Sequence, residues 1–228
     1  MRRIAPFLCL HLVLAWWSPV PAQEVQRHGV VFEAWIRDTF FDGYEPESYT
    51  QKWDIPATAN LRHGGLPVNP KATKYRTAVG LGDALRQYDI DQPFILLVGF
   101  WEQDGDVKRF VNITPVTIHP ETWRMMWGPV TRSDLEELDA LIKNRDLDYR
   151  EVRERAQAMK RAPPFSESLI VLNPKIGSGP RGQRRLQCSL RFDHLFDLLA
   201  SHADRTPSDH PTLWGKPFPG PVRSAPRS

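Results

Sequence analysis

The chain has 228 residues, with 30 lysines and arginines against 27 aspartates and glutamates, for a formal net charge of +3. Arg2 and Arg3 belong to an N-terminal segment that reads as removable, so the remainder is close to neutral, which excludes a protein that grips nucleic acid through bulk charge alone. Of the two cysteines, Cys9 lies in that segment and leaves Cys188 single. That excludes an internal disulfide and a cysteine-based metal cluster, so stability must come from an apolar core.

Residues 1–22 have the three parts of a secretory signal peptide. Arg2 and Arg3 are basic, Ile4 to Trp17 is nearly all apolar, and Val20 and Ala22 put small residues before the expected cut. The apolar run is shorter than the ~20 residues that cross a bilayer. The expectation is a secreted or periplasmic protein with no membrane attachment after cleavage. Val25 to Phe41 carries apolar residues at helical spacing, and Asp42-Gly43 ends it. Tyr49 to Ile55, stopped by Pro56, reads as a strand. Leu66 to Ala72 reads as another, confined to an edge by Pro67 and Pro70. A helix is expected over Leu81 to Tyr88. Phe94 to Trp101 has no polar alternation, so a strand buried on both faces is expected. The turn at Gln103–Asp106 returns it as a hairpin over Val107 to Ile118.

Helices follow over Pro120 to Trp127, Asp134 to Lys143 and Tyr149 to Arg161. Thr131 or Ser133 caps the second, and Ser133 with Glu136 has capping-box spacing. Strands are expected over Ser168 to Leu172 and Arg185 to Phe192, then a short helix over His194 to Ala200. Beyond that the sequence is rich in proline, serine and charge, without periodicity, and reads as a disordered tail. The division is a signal segment (1–22), one domain (23–201) and a tail (202–228). The fold class is α/β or α+β, a central mixed sheet flanked by helices.

Several features could bind ligands. Arg181, Arg184, Arg185 and Arg191 form a local basic stretch able to contact phosphates, or a charged lead-in to a strand. Trp53, Trp101, Trp123, Trp127 and Trp214 could stack on sugars, although most tryptophans in a domain this size are core. Asn112-Ile113-Thr114 matches a glycosylation acceptor. There is no HExxH and no GxSxG.

The chemistry-bearing pattern lies earlier. Glu33 sits on the first helix, Asp54 in Lys52-Trp53-Asp54-Ile55-Pro56, and Lys71 in Val68-Asn69-Pro70-Lys71. Here the chain resembles the PD-(D/E)XK nuclease superfamily, the fold of many type II restriction enzymes. That family puts an aspartate on one strand, an acidic-X-Lys triplet on the next, and often a glutamate on the preceding helix. The resemblance covers roughly residues 28 to 101. It implies a restriction-endonuclease-like core and hydrolysis of DNA with Mg²⁺ or Mn²⁺. Asp54, Glu33 and Asn69 would be metal ligands, and Lys71 would position the attacking water. Asn69 stands where the family has its second acidic residue, and an amide oxygen brings no charge to a hard cation. The expectation is therefore an exported nuclease-like protein, with an exported, non-catalytic binding protein as the alternative.

Overall fold

The computed structural model describes residues 27–47, 51–179 and 181–223. The export segment lies outside the described residues. Among the described residues no helix is long and apolar enough to cross a membrane.

The chain folds as α+β around a mixed sheet. Helix α1 spans Arg27–Phe40, and strands β1 (Val68–Lys74) and β2 (Val79–Asp83) follow. A short α2 (Ala84–Tyr88) leads into β3 (Phe94–Asp104) and β4 (Val107–Ile118). Three helices come next, α3 (Pro120–Trp127), α4 (Arg132–Lys143) and α5 (Tyr149–Arg161). Then come β5 (Ile170–Ile176), β6 (Arg184–Leu190) and α6 (Phe192–His194), which runs into a wide turn at Leu195–Leu199. The described chain ends with three short strands, β7 (Thr212–Leu213), β8 (Lys216–Pro217) and β9 (Val222–Arg223). One sheet has the order β1-β3-β4-β9 and a second β2-β6-β5. Within the first, β1 runs parallel to β3, and β3 antiparallel to β4.

The buried-strand expectation for Phe94–Trp101 holds. Residues 94–100 are all buried, and β3 lies between β1 and β4. Its alternate side chains feed two cores. Leu96, Val98 and Phe100 face a larger core with β2, β5, β6 and α2–α5, while Ile95 and Leu97 face a smaller one with α1. Gly99 is where α1 comes closest: a Cβ there would meet the Phe32 ring at 2.5 Å and Phe110 at 2.7 Å. That gap seats Phe32 on β3, and with it the neighbouring Glu33. Pro70 sits in β1 at the sheet edge, where its missing N–H costs least.

Four expectations change. The strand at Tyr49–Ile55 is reduced to one bridge, Ile55 to Val68, because Pro56 follows at once; residues 48–50 lie outside the described residues. The helix expected over Leu81–Tyr88 starts only at Ala84, because Gly80 and Gly82 admit a bulged strand, with Gly82 at φ +95°. Asp83 then caps α2, accepting from the Arg86 N–H at 2.9 Å. The α4 cap is Thr131 with Asp134, not Ser133 with Glu136. The Asp134 N–H donates to Thr131 Oγ1 at 3.2 Å, and the Thr131 N–H donates to Asp134 Oδ2 at 2.8 Å.

The fourth change is the tail. Residues 204–210 are exposed, whereas 211–223 are anchored rather than disordered. Leu213, Phe218 and Val222 are buried in the smaller core, and β9 pairs with β4. Asn112 Nδ2 donates to the carbonyls of Asp204 (2.8 Å) and Thr206 (3.2 Å). The segment scatters a few large apolar residues among prolines and glycines, so no periodicity marks it. Residues 224–228 lie outside the described residues.

Candidate functional site

Asp54 lies in an irregular segment beside the open edge of β1, and several contacts on both sides of it fix its position. Ile55 exchanges two backbone hydrogen bonds with Val68 (3.1 and 2.8 Å). Trp53 packs on Phe94, ring centroids 5.3 Å apart. Lys52 pairs with Asp91 at 2.8 Å. Gln51 Nε2 donates to the carbonyls of Trp53 (2.6 Å) and Asp54 (3.5 Å). Gln51 is a positioning residue that no motif marks.

In β1, Val68 and Ala72 face α1 and the smaller core. The alternation of a strand therefore sends Asn69, Lys71 and Thr73 to the opposite face. Asn69 is buried at 4% exposure. Lys71 Nζ reaches Asp54 Oδ2 at 3.0 Å across 17 positions of sequence. The side chains are 21% and 46% exposed respectively. At that exposure the ion pair contributes at most about 1 kcal/mol. It says more about the shape of the site than about stability.

Glu33 comes from α1 and is half-buried. Burial raises its pKa above the usual carboxylate value, and the Asp54 carboxylate raises it further. Lys71 and Arg37 oppose that rise without cancelling it. The three residues singled out by sequence thus share one electrostatic environment. Lys71 holds Asp54 directly, and Glu33 feels both without an ion pair to either. Arg37, one helical turn beyond Glu33, pairs with Glu45 at 3.4 Å and also belongs to this environment.

A hard divalent ion is compatible with this donor set. The Asp54 carboxylate raises the proton affinity of Glu33, and a cation would relieve that repulsion. Mg²⁺ needs only one or two protein carboxylates when water and phosphate complete its shell. The donors would be Asp54 and Glu33; Asn69, expected as a third, is buried on the face of β1 opposite α1 and makes no hydrogen bond to Asp54 or Lys71 among the described residues. Among the described residues no group of three His, Cys, Asp or Glu side chains is gathered to hold a metal. The site is therefore poorer in charge than a full carboxylate set.

The other sequence candidates separate. Arg184 donates to the Ile142 carbonyl at 3.3 Å and Arg185 to Gln183 at 3.2 Å, so the basic stretch does not present a single surface. Trp53, Trp123 and Trp127 are core residues. Asn112 spends its amide on the 204–206 segment, which leaves it a poor glycan acceptor. Cys188 is 1% exposed, and burial pushes its thiol pKa far up, so it packs as a small hydrophobe. No protein-family model matches the chain, and no curated protein and no solved structure matches it.

Proposed function

We propose that the chain is a nuclease-like protein that hydrolyses phosphodiester bonds of DNA with the help of Mg²⁺ or Mn²⁺. The observation that carries this reading is the Asp54–Lys71 contact with Glu33 coupled to both. Asp54 and Glu33 would hold the ion, which when bound supplies positive charge to the phosphate and acidifies water. Lys71 can donate a hydrogen bond to the attacking water or to a phosphate oxygen. Water adds to phosphorus, the bond to one ester oxygen breaks, and that oxygen takes a proton. With Asn69 in place of a carboxylate, ion binding is weak and turnover slow.

Residues 1–22 direct export on this reading, so the DNA is extracellular or periplasmic. N-terminal sequencing of the exported protein checks this; a retained Met1 would contradict it. A second reading, a non-catalytic binding protein, draws support from the uncharged Asn69 and the absence of a third acidic, His or Cys donor among the described residues.

Cleavage of plasmid and linear DNA with Mg²⁺, Mn²⁺ or chelator separates the two readings. The nuclease reading expects slow cleavage that chelator stops, that Asp54→Ala abolishes and that Lys71→Ala reduces in a folded protein. No cleavage with any divalent ion makes the surface around Asp54 and Lys71 a binding surface.

A further inference from the structure

A cleft of about 570 Å³ is lined by Arg76, Ala78, Arg191, Phe192, Asp193 and Arg205. Three arginines line it with one aspartate, and a second aspartate, Asp197, pairs with Arg205. The arginines come from distant parts of the sequence. Arg76 lies in the β1–β2 turn, Arg191 after β6, and Arg205 in the segment leading to β7.

Each is held in place while its charge stays accessible. Arg205 pairs with Asp197 at 2.9 Å and Arg191 with Asp193 at 3.8 Å. All four side chains are more than half exposed, so these pairs contribute little and an incoming anion can displace them. The Tyr75 hydroxyl donates to the Arg205 carbonyl at 2.6 Å, which ties the third arginine's backbone to the turn carrying the first. Arg76 makes no ion pair among the described residues; its guanidinium lies 5.5 Å from the centre of the Tyr75 ring. It also occupies φ +61°, at a turn position that favours glycine or asparagine. The turn is closed by Thr77 N–H to the Lys74 carbonyl (3.1 Å) and by Thr73 Oγ1 to the Ala78 carbonyl (3.1 Å). Arginine here is unfavourable for the backbone but places a positive charge at the cleft mouth.

Strand β1 links the cleft to Lys71. Lys71 and Thr73 point to the face opposite α1. Tyr75, two residues further on, packs on Phe100 and Phe192 of the larger core. From Lys71 to the end of β1 at Lys74 is roughly 10 Å of extended chain, and the turn then leads to Arg76. We infer that the arginine cleft binds the phosphodiester backbone of a nucleic-acid strand whose neighbouring nucleotides lie over Asp54 and Lys71. This rests on the nuclease reading for the choice of strand. The cleft is open and has several separate cationic groups, which suits successive phosphates better than one small anion. Arginine is the fitting residue, since its planar fork donates two hydrogen bonds to one phosphate. Contacts of this kind fix position without reading sequence.

The test uses protein carrying Asp54→Ala, so that no strand is cut, and measures binding of labelled single-stranded and duplex DNA across a salt series. Arg76→Asn removes the charge and suits the backbone; Arg191→Gln removes a second charge. Arg150→Gln on α5 controls for net charge. Each cleft variant should weaken binding severalfold and lower the slope of log affinity on log salt by about one. The control should leave the slope unchanged, and thermal melting should be the same throughout. DNA binding that is equally strong in the cleft variants overturns the inference and leaves the nuclease reading standing. Arginine-dependent DNA binding without cleavage by the Asp54 parent does the reverse. Inorganic phosphate that displaces DNA at matched phosphate concentration would show a small-anion site and overturn the strand assignment.

Discussion

The two faces of the β1-β3-β4-β9 sheet are built differently. One face carries the larger core, drawn mostly from chain between β2 and Ala200, with Trp53 added, and closed by the second sheet and helices α2–α5. The other carries a smaller core that joins the two ends of the described chain. Phe32, Ile36 and Phe40 of α1 meet Leu213, Phe218 and Val222 there. Phe110 stacks on Phe32 at 4.8 Å and touches Phe218 at 4.5 Å, so one β4 residue bridges both ends. The larger core is a scaffold that neighbouring elements can assemble. The smaller one depends on closing the whole chain, and it is the one that positions Glu33. Catalytic geometry on this reading is therefore only as firm as the packing of the two ends.

The largest effect is expected where β3 serves the smaller core. Leu97 is fully buried, and Leu97→Glu strands a charge without a partner, costing more than about 4 kcal/mol in denaturant unfolding. Phe218→Ala follows, at about 3 kcal/mol. It should also loosen α1, seen as faster amide exchange over Arg27–Phe40 with α4 and β6 unaffected. Equal exchange across both cores would show that they are one cooperative unit. Gly99→Ala should cost about 1–3 kcal/mol, since the added methyl runs into the rings of Phe32 and Phe110. A neutral result would mean that α1 can back away from β3 freely.

The same contrast explains what was legible in the sequence. Elements of the larger core carry regular periodicity or unbroken apolar runs, and β3, β4, α3, α5 and β6 stand close to where the pattern put them. The tail was misread because Leu213, Phe218 and Val222 are scattered among prolines and glycines, and only the partner face on α1 and β4 makes them core. Glu33, Asp54 and Lys71 could be singled out as residue types at a family's spacing, and they do share one environment. The arginine cleft had no sequence signal beyond Arg191, because Arg76, Arg191 and Arg205 lie up to 129 positions apart. Gln51 had none either, because its role is to hold the backbone next to it.

Smaller effects come from titration. Glu33 has a folded pKa raised above 4.5. The folded state then holds its proton more tightly than the unfolded state, so the stability it contributes is full below 4.5 and lost as pH rises through the folded value. Glu33→Gln should raise the melting temperature relative to the parent near pH 7.5 and leave it nearly equal near pH 4. No difference at either pH would mean that Glu33 is solvated and uncoupled from Asp54. His28 behaves in the opposite sense. Burial first, then Lys108, lowers its pKa to about 4 from 6.5. Stability should fall as pH drops from 6.5 towards 4, and His28→Gln should flatten that slope. This last effect probes α1 against the β4 residue Lys108, which bonds His28 Nδ1 at 2.9 Å.

On the proposed reading Glu33 and Asp54, with Lys71 beside them, form one divalent-ion site. Titration of the purified protein with Mn²⁺, followed calorimetrically, tests it most directly. The account predicts one weak site in the parent, lost in Asp54→Ala and weakened in Glu33→Gln. Binding that survives Asp54→Ala, or that is indifferent to Glu33→Gln, would contradict it.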